Sequence, residues 1–306
     1  MSESSTAPIL CAEMSMQVGE PLMATASRVD VWFVLETDQV FGVEAFAEVQ
    51  LPDAVRAHLA AALKAVPQSR MQLIRVGKER PKTPGYSFFV ALGRDVDPLL
   101  YKFQLADYED LLKIDLTKVA AGDPQYAANL SDEPLYLICA NGKRDRCCAR
   151  SGLPIYEAMS TYLASIGLQH TVWTTSHIGG HRFAGTGVFL PAGICYGRMD
   201  PSAAAEFVES YRQGQLLAKY LRGRGAYPEH VQAAEHFIRQ QTGFTGIDTL
   251  RFVSSEAVGE KQWRIVFAVH GTPHTVTVRE TQSEFLTFKN STDTSGVRVP
   301  QFSLVD

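Results

Sequence analysis

One stretch in the middle of the chain constrains the fold most, because short apolar runs alternate there with a helical pattern. Residues 134–139 (PLYLIC) form an apolar run of strand length, and residues 171–175 (TVWTT) form a second run rich in β-branched residues. Residues 153–166, between the two runs, can form a helix. A strand, a helix and a second strand in this order favour an α/β fold.

Two pairs of potential metal ligands follow directly after these strands. Cys139 ends the first run and Cys148 follows in CANGKRDRCCAR, while His177 and His181 lie in SHIGGH. Open α/β sheets usually hold their ligands at the carboxyl ends of the strands. Thiolates and imidazoles together suit zinc or an iron–sulfur cluster, whereas magnesium and calcium prefer oxygen ligands. We therefore expect the functional site where the two loops meet.

The spacing of the cysteines narrows the kind of site. Zinc fingers usually place about two to four residues between neighbouring cysteines. Eight residues separate Cys139 from Cys148, so a wide loop can surround something larger than one ion. Cys147, next to Cys148, could be a structural bystander, a spare ligand or a redox-active thiol. A bridge to Cys148 is disfavoured because adjacent cysteines rarely reach the separation of a normal disulfide, and the bystander is the preferred interpretation.

Composition excludes several classes of function. A formal charge of −4, with one short basic cluster (Lys143, Arg144, Arg146 and Arg150), argues against a general nucleic-acid binder. No run of about 18 apolar residues predicts a membrane span, and the N-terminus does not resemble a secretory signal. The five cysteines are an odd number and suggest metal or thiol chemistry rather than a disulfide framework, so the expected compartment is the reducing cytoplasm.

Several segments together resemble a known family. The segments CANGKRDRCCA, SHIGGHRFAG and PAGICYGRM, with CAEMS and GEPLMATA near the N-terminus, are similar to the sucrase/ferredoxin-like family of thioredoxin-like [2Fe-2S] proteins. The resemblance runs from about residue 11 to residue 220 and leaves the C-terminal block uncovered. It implies a [2Fe-2S] cluster held by Cys139 and Cys148 on one iron and by His177 and His181 on the other.

The function implied by this resemblance is one-electron transfer by a carrier with a redox partner protein, rather than an enzyme with its own organic substrate. Two other readings use the same residues. A structural zinc site would take the same four ligands, and a thiol oxidoreductase would use Cys147 or Cys148. The second is weakened because the chain has no C-x-x-C pair.

The expected organisation has three parts. Residues 1–125 form an N-terminal α+β region, residues 126–225 the thioredoxin-like ferredoxin domain, and residues 226–306 a small C-terminal α+β region. No internal repeat is visible, and the polar tail after residue 290 is expected to fray. Arg144, Arg146 and Arg182 could form a positive rim for an acidic redox partner, with Asp145 paired to one of them.

The charge of the implied cluster predicts its redox behaviour. Two ferric ions, two sulfides and two thiolates sum to zero, whereas four thiolates would give −2. The neutral Cys2His2 cluster therefore accepts an electron more easily than an all-cysteine cluster, and its reduction potential should be higher. Rieske centres, which also have two histidine ligands, have potentials of roughly −150 to +300 mV, against about −400 mV for plant-type ferredoxins.

Neutral imidazole ligands also predict a potential that depends on pH. Ferric iron acidifies the remaining N–H of a bound imidazole, and its pKa rises on reduction. Between the two pKa values reduction takes up a proton, so the potential should fall by about 59 mV per pH unit. Replacing His177 or His181 by cysteine adds a negative charge, which should lower the potential and weaken the slope. Redox titrations from neutral to alkaline pH test this, and a flat wild-type profile contradicts it.

Overall fold

The computed structural model describes residues 9–77 and 84–305. These residues form a nine-stranded mixed sheet, helices packed against it, and a separate four-stranded antiparallel sheet. The predicted α/β class is confirmed. None of the helices in the described ranges has the length and apolar character needed to span a bilayer. Residues 1–8, which are part of the N-terminus judged not to resemble a signal, lie outside these ranges.

The first half of the large sheet is a βαβββ unit. Helix α1 (Cys11–Gln17) precedes this unit, whose elements are β1 (Val31–Glu36), the short α2 (Ala45–Glu48), α3 (Asp53–Ala65), β2 (Ser69–Arg75), β3 (Tyr86–Leu92) and β4 (Leu99–Leu105). Strand β1 pairs in parallel with β2 and antiparallel with β3, which pairs antiparallel with β4. The strand order is therefore β4-β3-β1-β2.

The second half repeats this arrangement. After the linking helix α4 (Leu116–Ala121) come β5 (Leu135–Cys139), α5 (Arg146–Ser165), β6 (Val172–Thr175), β7 (Gly187–Leu190) and β8 (Ile194–Tyr196). Strand β5 pairs in parallel with β6 and antiparallel with β7, and β7 pairs antiparallel with β8. The order β6-β5-β7-β8, with the third strand antiparallel to the others, is that of thioredoxin-like folds, as predicted.

The two units therefore have the same topology, although the sequence shows no repeat. They join edge to edge where β2 pairs antiparallel with β6, through Ile74 with Thr175 and Arg75 with Thr174. The N-terminal region thus extends the sheet that holds the cysteine and histidine loops. Sequence analysis missed the repeat because the strand order recurs while the residues differ.

The remaining elements complete the sheet and form the C-terminal region. They are α6 (Ala204–Arg212), β9 (Leu221–Arg224), α7 (Glu229–Thr242), β10 (Leu250–Gly259), β11 (Gln262–Val269), β12 (Thr272–Gln282) and β13 (Pro300–Leu304). Strand β9 pairs with β8, and β10 to β13 form the small sheet in chain order. The expectation of a fraying tail is wrong, because β13 pairs with β12.

Alternating residues on the strands divide the core into layers. On β5, Tyr136 and Ile138 pack with α5, while Leu137 and Cys139 lie in an apolar cluster that also includes Trp32 of β1. The same cluster therefore draws on both halves of the sheet. All five of these side chains are at most 1% exposed, so this interior excludes water from the start of the cysteine loop.

Helix α5 begins earlier than predicted. The Asp145 side chain accepts a hydrogen bond from the Cys147 N–H at 2.9 Å and caps the helix, which starts at Arg146 instead of residue 153. Gly152 lets the helix approach β5, since a Cβ there would lie 1.9 Å from the Cys139 carbonyl oxygen. The early start places Cys148 in the first helical turn.

Asp95 is expected to contribute strongly to stability, because it ties the C-terminal region to the large sheet. Its carboxylate accepts hydrogen bonds from the Tyr227 hydroxyl and the Phe252 N–H, and lies 3.4 Å from the fully buried Arg224 guanidinium. Asp95→Ala should lower the free energy of unfolding by roughly 2–3 kcal/mol, since it leaves buried donors unsatisfied. Urea denaturation measures this, with the exposed Asp132→Ala as control; equal losses in the two variants would contradict it.

Candidate metal centre

Three of the four predicted ligands meet at the carboxyl ends of β5 and β6. Cys139 ends β5, Cys148 lies in the first turn of α5, and His177 follows β6. Their ligand atoms all lie within 4.8 Å of one another, and Cys148 Sγ is 3.7 Å from His177 Nδ1. Both cysteines are buried and His177 is half-buried, so this group sits just below the surface.

His181, the fourth predicted ligand, lies beside this group. Its ring stacks on that of His177 with 4.9 Å between centroids, and its ligand atom lies within 4.8 Å of those of Cys11 and Asp145. The predicted four are therefore adjacent, but they do not all lie within 4.8 Å of one another.

The hydrogen bonding of His181 fixes which ring nitrogen is available. Its Nε2 lies 2.5 Å from the Lys289 carbonyl oxygen, which can only accept, so Nε2 carries the hydrogen. Burial lowers the pKa of His181, which favours the neutral ring. Its Nδ1 then has a lone pair, is buried, and has no hydrogen-bond partner among the described residues. Metal-bound histidines characteristically donate their other N–H in this way.

The paired cysteines share a proton unevenly. A hydrogen bond from the Cys148 thiol to the Cys139 sulfur lowers the pKa of Cys139. The same hydrogen bond raises the pKa of Cys148, because Cys148 keeps the proton. A metal would replace the shared proton and bind both sulfurs as thiolates. The pair is thus suited to a cation and poorly suited to two thiolates alone.

Strand β2 of the first unit holds the histidine loop. Arg70 donates to the carbonyl oxygens of His177 at 2.6 Å and Ile178 at 3.3 Å. The buried Gln72 side chain donates to the Ser176 carbonyl at 2.6 Å and to its hydroxyl at 2.8 Å. No sequence motif marked either residue, because the contacts arise only when β2 and β6 pair.

A second arginine holds the glycine turn. Arg222, 3% exposed, donates from Nη1 to the Gly179 carbonyl at 3.0 Å and from Nε to the Thr25 hydroxyl at 3.1 Å. Gly179 and Gly180 have φ values of +94° and +76°, and a Cβ on Gly180 would lie 2.4 Å from Arg222 Nη2. The turn that brings His177 and His181 together therefore requires glycine.

The C-terminal region reaches this site through residues 287–291. In addition to the Lys289 contact, Ser291 donates to Asp145 from its N–H at 2.9 Å and from its hydroxyl at 2.7 Å. The Thr287 hydroxyl donates to Glu20 at 3.2 Å. The prediction that Asp145 pairs with a neighbouring arginine is wrong; it caps α5 and binds Ser291. Only the polar composition of this segment was visible in the sequence.

Most of the predicted positive rim is neutralised. Arg144 pairs with Glu44, Arg150 with Glu13 at 2.8 Å, and Arg182 with the buried Glu20 at 2.8 Å. Lys143 and Arg146 are exposed and have no acidic partner among the described ion pairs. The positive surface is therefore smaller than the sequence suggested.

The fold and site define an α/β protein with a cysteine–histidine centre at the strand ends. Residues 4–223 match the family described as sucrase/ferredoxin-like, and this match covers more than half of the chain. The chain belongs to the sucrase/ferredoxin-like family, as its loop motifs indicated.

Two curated relatives carry the name Altered inheritance of mitochondria protein 32. The one from Debaryomyces hansenii is 32% identical over 95 residues, covering 29% of this chain and 35% of the relative. The one from Candida glabrata is 25% identical over 171 residues, covering 50% of this chain and 53% of the relative. The chain thus matches about a third to a half of the length of these relatives.

Among solved structures, a thioredoxin-like [2Fe-2S] ferredoxin from Aquifex aeolicus is 18% identical and covers 32% of this chain and 97% of that chain, with a TM-score of 0.28. A cysteine-to-serine variant of the same ferredoxin is 15% identical, with a TM-score of 0.26, and covers 29% of this chain and 97% of that chain.

Arg70→Met is expected to release the histidine loop. It removes charged donors from two carbonyl oxygens and should lower the free energy of unfolding by roughly 1.5–3 kcal/mol. Arg70→Lys should recover part of this loss, because a lysine keeps the charge but lacks the forked donor. Chemical denaturation of the full chain measures both. The matched control is Arg28→Met, which removes an exposed pair with Asp30 and should change stability by less than about 1 kcal/mol; equal effects of the two methionine variants would contradict the role of Arg70.

Proposed function

We propose that this protein is an electron carrier with one [2Fe-2S] cluster, held by Cys139 and Cys148 on one iron and by His177 and His181 on the other. The observation that carries the proposal is the state of His181. A buried, neutral imidazole presents a lone pair on Nδ1 that finds no partner among the described residues, while its Nε2 hydrogen is bonded to a carbonyl oxygen. Such an atom is unfavourable unless it binds something.

The remaining ligands support the same assignment. Cys139, Cys148 and His177 already lie together, and His177 contacts His181 through stacked rings. Thiolate and imidazole are the ligand types that iron–sulfur clusters take, and a bound cluster would accept and release one electron. This chain belongs to a family described as sucrase/ferredoxin-like, which agrees with that chemistry.

The protein surrounding the site would favour the reduced form. The half-buried Arg70 and the buried Arg222 lie behind the histidine loop, and neither has a carboxylate partner among the described ion pairs; both donate to backbone carbonyls instead. A neutral oxidised Cys2His2 site becomes negative on reduction. The two positive charges nearby would lower the cost of that added charge and raise the potential.

Electron exchange would occur at the half-buried His177. A depression of about 370 Å³ lies outside it and is lined by Phe46, Asn141 and Arg144 among others. A redox partner protein that fills this depression would come close to the histidine side of the site, with no need to open the buried cysteine side. The partner's identity would decide the direction of electron flow.

The decisive experiment is analysis of anaerobically purified full-length protein. We expect a reddish-brown protein with about two irons and two acid-labile sulfides per chain. Reduction should give the paramagnetic signal of a one-electron-reduced [2Fe-2S] centre. A colourless protein that contains one zinc and no sulfide, even after anaerobic reconstitution, would establish the structural zinc site instead.

Adjacent cysteines provide the matched control. Cys148→Ser should abolish or severely destabilise the cluster, because the variant loses a thiolate ligand. Cys147→Ser should retain most of the iron and sulfide, because Cys147 faces Cys11. The reverse result would show that Cys147 is the ligand.

A further inference from the structure

Two cysteines outside the proposed ligand set face each other beside the metal centre. Cys11 is the first residue of α1, and Cys147 is the second residue of α5. Their sulfurs lie 3.7 Å apart although 136 positions separate them in the sequence. Both are free thiols, 0% and 2% exposed, so the contact is a feature of the folded core.

Three separate parts of the chain hold this pair in place. The Ser291 hydroxyl lies 3.2 Å from the Cys11 sulfur and 3.3 Å from the Cys147 sulfur. Leu10, Ala184 and Phe288 pack around the two thiols. A disulfide has an S–S length of about 2.0 Å, so the sulfurs need to approach by less than 2 Å. That movement is within the reach of side-chain rotation and small backbone shifts.

A pocket of about 310 Å³ lies next to the pair. It is lined by Asp145 and Ser291, which both contact the thiols, and its basic side chains are Lys143, Arg144 and Arg146. This volume is within the range of small-molecule sites. Two of the three cations, Lys143 and Arg146, have no acidic partner among the described ion pairs, so the pocket favours an anionic molecule.

We infer that Cys11 and Cys147 form a second redox couple, a dithiol that an anionic low-molecular-mass disulfide oxidises to an intramolecular disulfide. Cys147 attacks one sulfur of the small disulfide and releases one thiol. Cys11 then attacks the Cys147 sulfur of the mixed disulfide and releases the second thiol. Two S–H bonds and one S–S bond are replaced by one S–S bond within the protein and two small-molecule thiols, which take up both protons.

This couple differs from the proposed cluster in chemistry and in residues. It transfers two electrons and uses neither Cys139 nor Cys148. Its formation requires no metal, so the two proposals can fail independently. The new bond would join α1 to the first turn of α5, one residue before Cys148. Nothing local to residue 11 in the sequence indicates a partner 136 positions away.

The test is equilibration of the protein with oxidised and reduced glutathione over a range of ratios, followed by acid quenching, alkylation of the unfolded chain and mass mapping. We expect loss of two of the five thiols and a link from the Cys11 peptide to the tryptic peptide of residues 147–150. Reductant should restore both thiols. A Cys11 that stays fully alkylatable at every ratio overturns the inference.

Variants at the neighbouring positions locate the link. The Cys148→Ser variant should still form the disulfide with Cys11, whereas the Cys147→Ser variant should not. The two variants are matched, because each has one serine in the same tryptic peptide. Cys11→Ser should stop at the first step and retain one glutathione on Cys147. Circular dichroism establishes that each variant is folded. A link that maps to Cys148, or a Cys11→Ser protein that acquires no glutathione, would overturn the assignment.

Discussion

The edge-to-edge pairing of β2 with β6 is the contact on which the site depends. It places Gln72 and Arg70 alongside residues 176–178, whose backbone carbonyls they bind. The histidine loop has few backbone partners of its own, so these side chains determine where His177 lies. The first βαβββ unit supplies no predicted ligand, yet it positions one of the two histidines of the proposed metal centre. The second βαβββ unit thus carries the proposed ligands, and the first unit, of the same topology, supports the histidine loop.

Buried positive charge is the second feature of the site. Arg70 and Arg222 satisfy their donors on carbonyl oxygens, which fixes the loop geometrically but does not neutralise the guanidinium groups. Burial lowers the pKa of Arg222 to about 10, so it stays charged at neutral pH. An isolated buried cation is costly unless other charge compensates it. Thiolates and a reduced cluster at the proposed site would provide that compensation, so the arginines and the ligands stabilise each other.

Three distant segments converge on the far side of the centre. Cys11 comes from the N-terminal helix, Asp145 and Cys147 from the start of α5, and Ser291 from the C-terminal region. Through Lys289, the same C-terminal segment orients His181. The region beyond the family match therefore contacts the proposed site. The same C-terminal segment also contacts the thiol pair. Cys147 of that pair is adjacent to the proposed cluster ligand Cys148, so the two proposed redox sites use neighbouring residues.

The sequence by itself determined the features that depend on neighbouring residues. The apolar runs predicted β5 and β6, and the residues after them predicted the cysteine and histidine loops. The sequence predicted a later start for α5 because Asp145 was interpreted as the partner of an arginine, whereas it caps the helix. Only the tertiary structure decided the repeat of the βαβββ unit, the Lys289 contact and the pairing of Cys11 with Cys147. Those contacts join residues more than 100 positions apart, and packing of the complete sheet selects them, whereas periodicity and turn chemistry act only along neighbouring residues.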